Sequence, residues 1–226
     1  MNTVLVRSYH APPISFDEIL RYMGFRAADS AVQRLAEDAA SACRGQLSYK
    51  VCYGIFPVCI DQERIQFPFA EAKSRAPAKN LCGCSQAIVF AATIGLWPDR
   101  AVLRYARTEP SKALAVQALG AERIESLCNA FEADIKAEYE PQGLFIRPRF
   151  SPGYGDLDIA LQRDIFRVLD CPKKIGLTLN ESMLMSPTKS VTAIIGLGAK
   201  HARQQASRCQ TCTQKNCSFR SENHAT

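Results

Sequence analysis

The residues best suited to bind a small ligand lie between Arg149 and Tyr154, a stretch that reads Arg-Phe-Ser-Pro-Gly-Tyr. Pro152 restricts the backbone and Gly153 permits conformations closed to other residues, so the pair predicts a stiff turn between the two functional side chains. A guanidinium can hold a carboxylate through two parallel hydrogen bonds, and a phenol ring can face a cation. The stretch therefore predicts a carboxylate-binding loop with an aromatic surface; the alternative is a surface turn with a half-buried tyrosine.

A second pattern lies downstream, where residues 181–191 read Glu-Ser-Met-Leu-Met-Ser-Pro-Thr-Lys-Ser-Val. This Glu-x-x-x-Met-x-Pro-x-x-Ser-Val spacing, together with the Arg-x-x-x-Gly-Tyr of residues 149–154, resembles the activation (reactivation) domain of cobalamin-dependent methionine synthase. The resemblance extends over residues 87–198, and two motifs in the same order make it specific.

The resemblance implies an S-adenosylmethionine site. Arg149 would bind the carboxylate of the ligand, and Gly153 would let the backbone approach it closely. Tyr154 would stack on the ligand or face its sulfonium. Glu181 matches the first residue of the second motif and would contact the ligand or orient Arg149; a turn carboxylate without a ligand is the alternative.

The same resemblance implies an α+β fold, with a single domain built on a bent, mainly antiparallel sheet flanked by helices. The activation-domain-like part would span residues 1–198, followed by a basic, cysteine-rich tail at residues 199–226. The family delivers S-adenosylmethionine to an oxidised cobalamin, whose methylation follows one-electron reduction. The pattern leaves open whether such a protein is an enzyme or an accessory of methionine biosynthesis, and no catalytic side chain is expected.

The cobalamin-ligand pattern Asp-x-His-x-x-Gly does not occur in the sequence. We therefore expect a stand-alone form of the domain whose cobalamin is held by a partner, either a separate cobalamin-dependent methionine synthase or another corrinoid protein. A reductant protein such as a flavodoxin or ferredoxin would supply the electron.

The tail carries three clustered thiols, Cys209, Cys212 and Cys217. A Cys-x-x-Cys pair with a third thiol nearby suits zinc or an iron–sulfur cluster, and His201, His224, a distant cysteine or an open position would complete the ligand set. A redox thiol role and a merely cysteine-rich tail are the alternatives. The competing function is a metal or iron–sulfur electron-transfer accessory of a corrinoid partner that does not bind S-adenosylmethionine.

Composition limits the class of protein. Hydrophobic residues make up 47% of the 226 residues and charged residues 22%, which is typical of a folded globular chain. The net charge of +6 is spread along the chain instead of forming a block, so it indicates a solvated basic surface more than a nucleic-acid site. No stretch reaches the roughly 20 apolar residues of a membrane span, and the N-terminus lacks a secretory pattern. These features predict a cytoplasmic protein with reduced thiols.

The spacing of apolar residues predicts the main helix and strand of the fold. A continuous apolar run at residues 87–95 predicts a buried central strand, and helical spacing predicts a long helix over 110–139 that Gly120 divides in two. Charged residues of that helix are predicted to be solvated, namely Glu122, Arg123, Glu125, Asp134, Lys136 and Glu138. Cys52 and Cys59 lie in a segment rich in strand-forming residues and are predicted to be small buried hydrophobic residues.

Overall fold

The structure is a computed structural model that describes residues 3–25, 27 and 29–199. The strands are β1 (Leu5–Tyr9), β2 (Tyr49–Pro57), β3 (Cys59–Asp61), β4 (Arg64–Phe67), β5 (Ala70–Lys73), β6 (Cys84–Thr93), β7 (Phe145–Ile146), β8 (Thr178–Leu179), β9 (Met185–Ser186) and β10 (Ser190–Gly198). The helices are α1 (Phe16–Tyr22), α2 (Ser30–Ala42), α3 (Arg75–Leu81), α4 (Trp97–Tyr105), α5 (Pro110–Tyr139), α6 (Leu161–Leu169) and α7 (Cys171–Ile175), and a 3-10 turn (Glu140–Gln142) follows α5.

The main sheet has five antiparallel strands in the order β1-β2-β6-β10-β7. The apolar run predicted as a central strand forms β6, which lies between β2 and β10 and is almost entirely buried. The sheet curls into a half-barrel with helices packed around it, which confirms the predicted α+β class and the bent antiparallel sheet.

Each face of this sheet has its own hydrophobic layer. Helix α5 covers one face, where Phe131 lies with its ring centroid 5.1 Å from that of Tyr53 and 4.9 Å from that of Phe90. Helices α6 and α7 cover the other face, where Ile165 and Leu169 are fully buried. A third cluster joins α1 and α2 to the N-terminal half of α5. Helix α5 therefore connects the sheet to the N-terminal helices.

The prediction that Gly120 divides the long helix is wrong, because α5 runs without a break through its 30 residues. A Cβ built on Gly120 would lie 2.9 Å from Cγ of Lys189, a contact closer than real Cβ atoms make. The glycine therefore gives room for the lysine side chain to cross the helix. Burial lowers the pKa of that lysine, and Asp99 partly offsets the effect.

The charged pair Glu122–Arg123 is also not solvated as predicted, since its side chains are 2% and 1% exposed. Arg123 donates to the carbonyls of Pro12 at 2.6 Å and Pro13 at 2.7 Å, and Glu122 accepts from the backbone N–H of Ser15 at 3.1 Å. The periodicity of α5 places this pair on a helix face, but the N-terminal segment that covers it comes from more than 100 residues away. The pair attaches this segment to α5.

The two cysteines predicted to be buried differ in their exposure to solvent. Cys52 is fully buried, and its Sγ lies 3.9 Å from Sγ of Cys171. Cys59 is exposed, which corrects the prediction: it begins β3, an edge strand of a separate three-stranded sheet, and faces outward there. The described helices include none that combines the length and apolar character of a bilayer span.

Candidate functional site

A cleft opens where the segment before the predicted binding loop leaves the edge of the main sheet. The backbone N–H of Arg147 donates to the carbonyl of Gly196 at 2.8 Å, and Phe150 exchanges backbone hydrogen bonds of 3.0 and 2.8 Å with Ile194. After Phe150 the chain turns away, so within the described ranges no strand pairs with that edge of β10 beyond Ile194. The cavity at this place has a volume of about 300 Å³ and is lined by Glu125, Arg149, Ser151, Pro152, Tyr154, Gln162, Met185, Ser190, Val191 and Thr192.

The predicted turn forms the outer wall of the cleft. Gly153 has φ of +87° and donates its N–H to the carbonyl of Leu157 at 2.9 Å, while the backbone N–H of Tyr154 donates to the carbonyl of Ser151 at 3.3 Å. Only glycine adopts such a φ without strain, so the Pro-Gly pair produces the stiff turn that the sequence predicts. Pro152 is buried, and Tyr154 is 61% exposed at the mouth of the cleft.

Asp156 holds the far end of this loop against α3. Its carboxylate accepts from the hydroxyl of Ser74 at 2.6 Å and from the backbone N–H of Arg75 at 2.7 Å. The hydrogen bond from Ser74, with that from Arg75, lowers the pKa of Asp156 because both favour the ionised form. The loop is thus fixed at both ends, by β10 and by α3.

Arg149 is held by side chains of α5. Its Nη1 donates to Glu132 at 2.6 Å and to Asn129 at 3.0 Å, and its Nη2 donates to Glu125 at 2.6 Å. Burial acts to lower the pKa of Arg149, but the charge and hydrogen bond of Glu132, with further help from Glu125, raise it above the ordinary value. The guanidinium is therefore permanently charged and fixed in orientation.

Glu125, predicted to be solvated charge, has a side chain that is 42% exposed, and its carboxylate also forms an ion pair with Arg149 in the cleft wall. A signal existed: Glu125, Asn129 and Glu132 follow one another at i, i+4 and i+7, so they form a polar stripe on one side of α5. That stripe borders the apolar face of α5. Its partner is Arg149, and the sequence does not indicate this contact because it depends on where the tertiary structure places the segment before the loop.

The guanidinium keeps binding capacity after these contacts. Arginine has five N–H donors, and three of them bond the α5 side chains, which leaves Nε–H and one Nη2–H of Arg149. One cation and two carboxylates meet here, of which Glu125 lines the cleft. The site can thus bind a zwitterion, because it presents an anion-binding donor beside an acceptor for an ammonium group.

The other predicted contacts fall in different places. Met185 and Ser190 of the second motif line the cleft. Gly153 shapes the loop without lining the cavity. Glu181 is exposed in the turn between β8 and β9 and lies outside the cleft lining, although its backbone carbonyl accepts from Arg163 of α6 at 3.2 Å. The roles of Gly153 and Glu181 toward a ligand remain predictions.

Two polar residues of the cleft were not identified from the sequence. Gln162, on α6, is 6% exposed, and Thr192, on β10, is 2% exposed. Neither Oε1 of Gln162 nor Oγ1 of Thr192 has a hydrogen-bond partner within the part of the chain that the structure describes. Buried polar atoms in native proteins are nearly always paired, so such atoms in a cavity wall indicate a missing partner.

The predicted metal ligands Cys209, Cys212 and Cys217 lie outside the described residues. Among the residues that are described, no group of three or more His, Cys, Asp or Glu side chains is placed to hold a metal ion. The thiol cluster of the tail stays a prediction.

Comparison with known proteins identifies the family. The sequence model for the family described as "Vitamin B12 dependent methionine synthase, activation domain" matches residues 83–218, more than half of the chain. The chain belongs to this family. The matched range contains every residue that lines the cleft, together with the three tail cysteines.

Solved structures agree with the fold of this activation domain. The chain is similar to the crystal structure of the MetH reactivation domain bound to AdoHcy, with a TM-score of 0.63 over 89% of this chain and 80% of that chain. The two sequences are 16% identical, so this similarity shows a shared fold. A search of curated protein sequences gave no significant match. The match to the family model over residues 83–218 confirms the family predicted from the two motifs.

Proposed function

We propose that this activation domain binds S-adenosylmethionine in the cleft beside β10 and presents its methyl group to the cobalamin of a methionine synthase or another corrinoid protein. The observation that carries the proposal is the fixed guanidinium of Arg149, which keeps free N–H donors at a cavity of about 300 Å³. The MetH reactivation domain that shares this fold was crystallised with AdoHcy, the demethylated form of the same ligand.

The amino-acid end of the ligand is proposed to lie against α5. Its carboxylate accepts from Arg149, and its ammonium group donates to Glu125, which is on the cleft wall. Charge-assisted hydrogen bonds of this kind are short and about twice as strong as neutral ones. Because Glu132 already fixes the guanidinium, the site is organised before the ligand arrives and loses little entropy on binding.

The sulfonium is proposed to lie near Tyr154. The ring is 61% exposed at the mouth of the cleft, so its face is available to a cation, and such a contact contributes about 0.5 to 2 kcal/mol. A methyl group held there would be open to a partner. In this reaction cobalamin supplies the cobalt that accepts the methyl group after one-electron reduction, while the side chains of this chain bind and orient the donor.

A corrinoid partner is proposed to dock over the mouth of the cleft. Three large apolar side chains on the loops beside it are exposed, namely Tyr154, Ile159 and Leu184, at 61%, 44% and 66%. Exposed apolar surface beside a binding cleft is one mark of a protein interface. The electron is proposed to come from a reductant protein such as a flavodoxin or ferredoxin.

Isothermal titration of the full chain with S-adenosylmethionine tests the proposed ligand. We expect saturable binding with a dissociation constant well below 1 mM, and we expect S-adenosylhomocysteine to compete with it. Absence of binding heat at millimolar ligand, with the protein folded by circular dichroism, would contradict the proposed function.

We also propose that Cys209, Cys212 and Cys217 bind zinc or an iron–sulfur cluster. One support is the ligand spacing of the three cysteines. The other is that the last strand before the tail, β10, ends next to a further exposed thiol. Gly198 ends β10 and pairs with Cys84 of β6, and the exposed thiol of Cys82 lies two positions earlier. Cys82 is therefore a candidate for the distant cysteine that completes the set.

Protein purified without oxygen is expected to contain about one zinc ion or one iron–sulfur cluster per chain, measured by elemental analysis and visible absorption. The variant Cys209→Ser should lose most of that metal, because zinc and iron–sulfur sites need deprotonated thiols as ligands. The matched control is Cys59→Ser, which removes an exposed thiol on the separate sheet and should keep the metal. Metal-free wild-type protein under these conditions would rule the proposal out.

A further inference from the structure

The cleft contains a second polar region, distinct from the charged group at Arg149. Of the three buried side-chain atoms that lack a hydrogen-bond partner among the described residues, two line this cleft: Oε1 of Gln162 and Oγ1 of Thr192. The third, Nε of Arg147, lies elsewhere. An unpaired buried acceptor is costly, so two of them in the wall of one cavity point to a ligand that supplies hydrogen-bond donors.

The two polar regions lie on opposite faces of the main sheet. Side chains alternate along β10, so Thr192 faces the same side as Ile194, which packs with the α6 and α7 layer. Gln162 lies on α6 itself. The guanidinium of Arg149 instead contacts α5, which covers the other face. The cleft therefore passes around the open edge of the sheet, with a charged end on the α5 side and a neutral polar end on the α6 side.

The backbone at this edge adds to the neutral end. The N–H and C=O of Ile194 bond to Phe150. Alternate residues of an antiparallel strand direct these groups to the same edge, so the N–H and C=O of Thr192 face the edge that the segment before the loop has left. The neutral end thus offers a backbone donor, a backbone acceptor, a hydroxyl and an amide oxygen within one short stretch.

We propose that Gln162 and Thr192 form the subsite for the nucleoside end of the ligand, binding the amino group and ring nitrogens of its base or the hydroxyls of its sugar. The proposal rests on the proposed function, since it assumes that the amino-acid end of S-adenosylmethionine occupies the charged region at Arg149. S-adenosylmethionine has one zwitterionic end and one neutral heterocyclic end. The first matches the charged region on the α5 side of the sheet edge, and the second matches the neutral region on the α6 side. Gln162 and Thr192 are then specificity residues that recognise the adenosyl group.

The test compares three ligands on isosteric variants. Gln162→Leu and Thr192→Val are each expected to weaken binding of S-adenosylmethionine by roughly fivefold to tenfold, the effect of one lost hydrogen bond. They should weaken 5′-methylthioadenosine, which lacks the amino-acid end, by the same factor, and S-adenosylhomocysteine likewise. Arg149→Ala should weaken the two complete ligands and leave 5′-methylthioadenosine within about twofold, measured by competition titration.

A stability readout separates recognition from a structural role. Both variants remove an unpaired buried polar atom, so without ligand they should melt at the wild-type temperature or above it, while the increase in melting temperature that the ligand produces should shrink. Matched controls are Gln86→Leu, an exposed position on β6, and Thr178→Val, outside the cleft lining. Both controls should keep wild-type affinity for all three ligands.

The outcomes also distinguish this inference from the proposed function. If wild-type protein binds none of the three ligands, the proposed function fails and this subsite fails with it. If wild-type protein binds S-adenosylmethionine but Gln162→Leu and Thr192→Val bind it with unchanged affinity, only the subsite is overturned. Variants that weaken S-adenosylmethionine without weakening 5′-methylthioadenosine would place these residues at the amino-acid end and overturn the assignment.

Discussion

Replacing Arg149 with alanine is expected to weaken binding of S-adenosylmethionine by about 100-fold, because hydrogen bonds between charged groups contribute roughly 1.5 to 3 kcal/mol. The substitution removes the anion-binding donor and leaves Glu125 and Glu132 facing the carboxylate of the ligand without a cation. Arg149→Lys should lose less, about tenfold, since lysine keeps the charge and loses the paired donors. Titration calorimetry measures both.

Arg7 provides the matched control for this experiment. It lies on β1, and its guanidinium forms an ion pair with Glu138 of α5, with 27% of the side chain exposed against 22% for Arg149. Arg7→Ala removes a bridge between the sheet and the same helix without touching the cleft lining. It should keep wild-type affinity. Equal affinities of Arg149→Ala and wild type would disprove the assignment of Arg149 to the ligand carboxylate.

The largest effect on stability is expected at the buried pair. Arg123→Met should lower the free energy of unfolding by about 3 to 5 kcal/mol, because it leaves the Glu122 carboxylate buried without its cation and frees the carbonyls of Pro12 and Pro13. Burial acts to lower the pKa of Arg123, but the hydrogen bond and charge of Glu122 raise it overall, so the guanidinium stays charged at neutral pH. Chemical denaturation followed by circular dichroism gives the value.

Two further variants make this measurement decisive. Arg64→Met breaks an ion pair with Glu71 in which both side chains are more than half exposed, so it should cost only about 0 to 1 kcal/mol. The double variant Glu122→Gln/Arg123→Met removes both charges and should recover part of the loss, since no uncompensated charge remains buried. If Arg123→Met unfolds at the same denaturant concentration as Arg64→Met, the buried pair does not hold the N-terminal segment on α5.

Several features were predictable from the sequence because they depend on neighbouring residues. Helix α5 follows the predicted range, 110–139, since its apolar positions recur at helical spacing. The turn at Pro152 and Gly153 follows from the backbone preferences of those two residue types. Strand β6 is central as predicted, because a strand buried on both faces has a continuous apolar sequence.

Other features depend on which distant segments meet, and no local pattern reports that. Glu122 and Glu125 lie three positions apart on α5, yet the first is buried by residues 12–15 and the second lines the cleft. Periodicity treats both as charged positions off the apolar face, so it predicted the same solvated role for each. The prediction for Cys59 was wrong for a related reason. A segment rich in strand-forming residues does not show whether its strand lies in the main sheet or at the edge of a second sheet.

The sequence by itself therefore determined the family motifs, the stiff loop that carries Arg149 and Tyr154, and the main helix and strand that frame it. These are properties of spacing and of backbone preference, which act over a few residues. Only the tertiary structure decided that α5 supplies carboxylates to Arg149, and that Gln162 and Thr192 meet at the open edge of β10. Such contacts are set by the order and curl of the strands, which bring together side chains separated by many residues along the chain.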